Sequence, residues 1–126
     1  MIRWAALLCA ALLVLGVSGY PAAGQGTVRL THGKIVIAVI NDQSGVYADI
    51  GGKNAVEGVR MAAEDFQKKY GAGAVGGPID VLSADHQNKP DVGASKAAEF
   101  YDRDNADLVI DVPTSSVGIA IAHVAA

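Results

Sequence analysis

Between Lys34 and Asn41 the chain reads KIVIAVIN, with six consecutive apolar residues and no polar alternation. A short apolar run without period two marks a strand covered on both faces. It predicts a first strand over Lys34 to Ile40 or Asn41. A loop of small and hydroxyl residues follows, and an amphipathic pattern begins near Lys53. Val56, Val59, Ala63, Phe66 and Tyr70 recur at spacings of three and four, one apolar stripe on a helix from Lys53 to Tyr70. The run Gly71 to Pro78, half of it glycine, ends that helix and forms a loop.

The alternation then repeats twice. Ile79 to Ala84 is apolar enough for a second strand, closing at Asp85. Pro90, after the polar loop Asp85 to Lys89, suits the first turn of a second helix, because its missing N–H would be unpaired there anyway. Ala94, Ala97, Ala98 and Tyr101 are its expected inward residues, and the pattern fades over Asp102 to Asn105. Asp107 to Val112 predicts a third strand and Pro113 to Ser116 a third loop. A third helix begins near Ser116 and is still running at Ala126. The order βαβαβα implies an α/β fold with a parallel sheet and right-handed crossovers. Ligands of such sheets bind beyond the carboxyl ends of the strands, where the loops after Asn41, Ala84 and Val112 would gather.

The first 24 residues follow a different logic. Arg3 supplies a positive charge, Ala5 to Val17 is almost wholly apolar, and Ala22-Ala23-Gly24 offers small residues for cleavage. This is the layout of a secretory signal peptide, and the apolar run is shorter than the ~20 residues of a spanning helix. The lone cysteine, Cys9, lies inside that run. Lipid attachment would require it at the cleavage point, so the exported chain is expected to carry no thiol, disulfide or thiolate metal site. The remaining 25–126 suffices for one small domain or one lobe of a larger one, and the helix at Ala126 has neither cap nor polar tail. The reading is of the front part of a longer protein. A net charge of −3 and a pI near 5.4 provide no basic field for nucleic acid.

Candidate chemistry lies in the three loops. A phosphate loop fails at Tyr47 and Asn54, where a glycine and a hydroxyl residue would be needed around Gly52-Lys53, and no dinucleotide fingerprint is present. Asp85, His86, Asn88 and Asp91 offer donors without a recognised metal-ligand spacing, and read as a solvated turn before a helix; no metal or cofactor is expected. Ser115 and Ser116 lack a nucleophile elbow. Thr114, Ser115 and Ser116 can cap the third helix, or add hydroxyl donors to its open N–H groups and hold a ligand carboxylate. Both readings stand. In the first loop Ser44, Gly45, Tyr47 and Gly51-Gly52 allow close approach of backbone to a ligand under one aromatic ring, while Asp42 and Asp49 can face a ligand ammonium or simply cap and solvate.

Three stretches, KIVIAVINDQSGVYADIGGKNAVEGVRMAAEDF, GGPIDVLSADHQNKPDVGASKAAEFYD and ADLVIDVPTSSVGIAIA, together resemble the leucine and branched-chain amino-acid type substrate-binding proteins of ABC transporters. The resemblance runs from Val28 to Ala126 with three loop motifs in register. It implies the N-terminal lobe of a type I periplasmic binding-protein fold, incomplete here. It also implies a non-enzymatic, periplasmic protein, monomeric at full length, that carries a small ligand to a membrane permease. The ligand would be an amino acid, or an aromatic acid, amide or urea in its place. A ligand-sensing lobe of a receptor is the alternative use of the fold, and a hydrolase acting through Ser115 a more distant one. By this resemblance Ser115 holds the ligand carboxylate with Thr114 and Ser116 beside it, while Ser44, Tyr47 and Asp49 belong to the other wall. Val46 stands where such loops usually have proline and Ile50 where they have a second tyrosine, and Gly52 is one glycine extra. Tyr47 is left as that loop's only aromatic. The family's acidic partner for a ligand ammonium would come from a second lobe.

Overall fold

The computed structural model describes residues 30–126. The expected signal peptide, 1–24, lies outside the described residues. Three parallel strands alternate with three helices: β1 (Ile35–Asn41), α1 (Gly52–Tyr70), β2 (Ile79–Asp85), α2 (Pro90–Asp102), β3 (Leu108–Ile110) and α3 (Ser115–Ala125). The sheet order is β2-β1-β3, with Ile35 opposite Ile79, Asn41 opposite Asp85, and Val39 opposite Ile110. This is the βαβαβα α/β arrangement expected from the hydrophobic pattern.

Because β1 is central, both its faces are covered, which is why its sequence lacks alternation. Val36, Ala38 and Ile40 join Ala97 and Phe100 of α2 and Val117 and Ile121 of α3 in one buried cluster. The alternating side chains of β1, Val39 among them, point to the other face, where α1 buries Val56 and Ala63. Reversing direction from β2 across β1 to β3 places α1 on one side of the sheet and the α2–α3 pair on the other.

Four local expectations change. The end of the α1 stripe is not buried: Tyr70 is 57% exposed, resting on Phe66 at 5.0 Å between ring centroids with Lys69 Nζ over its ring. The loop after α1 contains one turn of 3-10 helix, Ala72–Val75. The inward face of α2 is Gly93, Ala97 and Phe100, with Ala94, Ala98 and Tyr101 at its half-buried flanks. Glycine lies on that face because α3 comes so near: a β-carbon at Gly93 would sit 2.5 Å from Val117 Cγ1. Finally, β3 is three residues long instead of six. Asp107 still pairs with β1, its N–H reaching the Val36 carbonyl and its Oδ2 accepting the Val36 N–H at 2.7 Å. At the other end Asp111 turns to φ 58°, which ends the ladder.

Candidate functional site

The in-register ends of β1 and β2 bring Asn41, Asp42 and Asp85 together at the carboxyl edge. Asp42 is almost fully buried although charged, and its loop explains why. Its Oδ1 accepts the N–H of Gly45 at 2.7 Å and its Oδ2 that of Tyr47 at 3.0 Å. Of the two roles open to Asp42, capping is the one its geometry supplies. The carboxylate organises the loop, and Tyr47 is held by its backbone with its side chain 37% exposed.

Asp85 joins that loop to the next. Its Oδ1 accepts the N–H groups of Gln43 (2.9 Å) and Gln87 (2.8 Å), and its Oδ2 accepts the Ser44 hydroxyl at 2.5 Å. Burial alone would raise this carboxyl, but the Ser44 hydroxyl and the two N–H donors together outweigh it and hold the group below its ordinary value of 3.8. Ser44 therefore already has a partner. A ligand contact from it would have to share or replace the Asp85 bond.

The second loop is the turn expected, with Gln87 and Lys89 exposed, but one of its residues is not solvated. His86 is completely buried, its N–H bonded to the Asn41 carbonyl and its Nδ1 accepting the Asn88 N–H at 2.9 Å. An Nδ1 that accepts leaves the proton on Nε2, which has no partner among the described residues. Gln87 and Asn88 both take left-handed backbone angles, φ 52° and 56°, which brings Asn88 under the third loop. There Thr114 donates its hydroxyl to Asn88 Oδ1 at 2.9 Å. Among the described residues no three histidine, cysteine, aspartate or glutamate side chains converge as a metal site would need.

Thr114 is the N-cap residue of α3 in position but not in chemistry, because its hydroxyl turns away from the helix and no side chain caps it. The first internal bond runs from the Gly118 N–H to the Thr114 carbonyl, which leaves the N–H groups of Ser115 and Ser116 open. Both serines are exposed. Asp49 is exposed as well, on the loop before α1. Sequence reasoning missed two participants. Asn41 is fully buried and donates Nδ2 to the Gly52 carbonyl and to Asp111 Oδ2, each at 2.8 Å. Their common signal is position, one at the end of β1 and the other just past β3. A groove of about 210 Å³ between Arg60, Glu64 and Gln67 of α1 and the start of β2 lies at the other end of the strands.

An open helix N-terminus at the carboxyl edge of a parallel sheet is able to accept an anion, and sequence comparison assigns the family. A sequence profile for periplasmic binding proteins matches residues 34–126. The chain belongs to that family. Comparison with curated proteins found no match. Among solved structures the chain is similar to a periplasmic binding protein from Burkholderia mallei, with 42% identity and a TM-score of 0.67 over 75% of this chain and 24% of that one. It is also similar to a branched chain amino acid ABC transporter periplasmic ligand-binding protein from Burkholderia xenovorans LB400, with 42% identity, a TM-score of 0.62, and 71% and 23% of the two chains covered. A solute binding protein of an ABC transporter from Rhodopseudomonas palustris BisB5, in complex with 3,4-dihydroxy benzoic acid, shares the fold at 22% identity, with a TM-score of 0.58 and coverage of 73% and 24%. The chain spans about a quarter of the length of these structures. Its relatives are solute-binding proteins of transporters, so at family level the established role is binding, not catalysis.

Proposed function

We propose that residues 34–126 form one wall of a ligand cleft in an exported, periplasmic solute-binding protein that delivers a small carboxylated molecule to an ABC importer. The supporting observation is the uncapped N-terminus of α3, with Ser115 and Ser116 exposed and Thr114 fixed by Asn88 behind them. Open N–H groups and the positive end of the helix dipole favour an anion, and the two serine hydroxyls add donors. Ser115 holds the carboxylate, with Ser116 and the Thr114 backbone around it. Tyr47 covers the ligand from the first loop, whose shape Asp42 sets, with Ser44 and Asp49 at its rim. A second lobe closing on this wall buries the ligand and excludes water, and the closed form docks on the permease.

The ligand is an amino acid, branched-chain or other, as the name of the B. xenovorans relative suggests for that protein. The aromatic acid bound to the R. palustris protein marks the second reading. Both ligands carry the carboxylate that α3 would hold. Thermal-shift titration of the intact protein against amino acids and aromatic acids tests the proposal. At least one should raise the melting temperature, and Ser115→Ala should weaken its binding about tenfold, the loss of ~1.4 kcal/mol. The ligand-free melting temperature should stay put, since Ser115 is exposed. Silence across both panels would count decisively against the receptor role.

A further inference from the structure

We propose that Asn88 is a positioning residue for the ligand site: it draws the Thr114 hydroxyl away from α3 and so keeps the first N–H groups of that helix free for a carboxylate. This rests on the receptor reading above and adds how its anion site is held open. Thr114 stands at the N-cap position with φ −101° and ψ 118°, the extended backbone that capping needs. Threonine also caps well by type, its oxygen accepting the N–H of the second or third helical residue, here Ser116 or Val117. Yet no side chain caps α3. The Thr114 hydroxyl instead donates to Asn88 Oδ1 at 2.9 Å, in the second loop.

Asn88 does not depend on Thr114 for its place. Its N–H donates to Nδ1 of the fully buried His86 at 2.9 Å, and the His86 carbonyl accepts the Lys89 N–H at 2.8 Å, which closes the turn. His86 is in turn tied to β1, its N–H 2.9 Å from the Asn41 carbonyl. The left-handed angle of Asn88, φ 56°, belongs to that turn and is one that asparagine tolerates. The turn is thus fastened to the sheet, and it presents Asn88 Oδ1 to the third loop. Without that acceptor the Thr114 hydroxyl would fold back onto its own helix and take one of the N–H groups that a carboxylate needs. A ligand would have to displace that bond before it could bind. Holding the hydroxyl aside removes an internal competitor.

Asn88→Gly tests this, because it removes Oδ1, keeps the N–H on His86 and suits φ 56°. The intact protein and its variants are titrated with L-leucine, L-phenylalanine and the 3,4-dihydroxy benzoic acid that the R. palustris protein binds. Amide hydrogen exchange is followed by NMR without ligand. In Asn88→Gly the Ser116 or Val117 amide should exchange more slowly, and a bound probe should weaken about fivefold, the ~1 kcal/mol of an N-cap bond. Adding Thr114→Val, which cannot cap, should restore fast exchange and recover affinity relative to Asn88→Gly alone. If Asn88 merely braces the loops, the second change recovers nothing, and that result overturns the proposal. Unchanged exchange in Asn88→Gly overturns it too, as does slowed exchange with unaltered affinity for a bound probe. Asn88→Asp keeps an acceptor at the same backbone angle, so slowed amides there overturn it even if the glycine variant misfolds. Each of these leaves the receptor reading intact, whereas binding of no probe overturns both.

Discussion

Asp42 illustrates how a residue's chemistry is decided by what reaches it. A carboxylate at a strand end can be a ligand contact, but this one accepts two backbone N–H groups of its own loop and is almost fully buried. Asp42→Ala would leave the Gly45 and Tyr47 N–H groups without their acceptor, at a cost of roughly 1–3 kcal/mol. Denaturant unfolding should register that loss, and ligand affinity should fall with it as Tyr47 loses its anchor. The opposite holds for Ser115, whose replacement should reach affinity and spare stability. Of the six candidate side chains read from sequence, Ser44 and Thr114 are tied to Asp85 and Asn88, while Ser115, Ser116, Tyr47 and Asp49 remain exposed. Residue type alone could not separate these two groups. A serine hydroxyl in a polar loop looks the same whether its partner is a carboxylate across the sheet edge or a bound molecule.

At the scale of elements, the helices separate two demands on glycine. Gly58 sits inside α1 with nothing near its missing β-carbon, whereas Gly93 sits inside α2 against Val117 of α3. Gly58→Ala should stabilise by up to about 1 kcal/mol through helix propensity. Gly93→Ala gains the same propensity but forces the added carbon to within 2.5 Å of Val117 Cγ1. Overpacking of that kind costs typically 1–3 kcal/mol, so the clash wins and the net change is destabilising. Opposite shifts in melting temperature for the two variants would bear this out; a gain for Gly93→Ala would mean that α2 and α3 can part without penalty. The strands and helices themselves were legible in the chain, since periodicity and breakers such as Gly71 and Pro90 act locally. The inward face of α2 was legible only in part. Counting apolar residues picks Ala94, Ala97, Ala98 and Tyr101, of which Ala97 is fully buried. But α3 approaches along Gly93, Ala97 and Phe100, and where a neighbouring helix lies is not written in the helix it touches.

For the whole molecule, acid stability reports how the carboxyl edge is tied together, because Asp85 links the first loop to the second. Its carboxyl is lowered in the fold, with hydrogen bonds from Ser44, Gln43 and Gln87 prevailing over burial. A group with a depressed folded value binds protons more readily when unfolded. Its stabilisation is present in full above the unfolded value near 3.8 and is lost as pH falls below that through the folded value. Melting temperatures measured between pH 5 and pH 3, roughly spanning an ordinary aspartate titration, should fall less steeply for Asp85→Asn than for the unaltered protein. Parallel curves would remove Asp85 from the account. The chain by itself determined its α/β order, its parallel sheet and the edge where its three candidate loops gather, because those follow from local hydrophobic period and from chirality. Only the tertiary structure decided which polar groups at that edge are free. Ser44 meets a partner 41 positions along the chain and Thr114 one 26 positions back. Such hydrogen bonds exist only once the strands have been laid side by side.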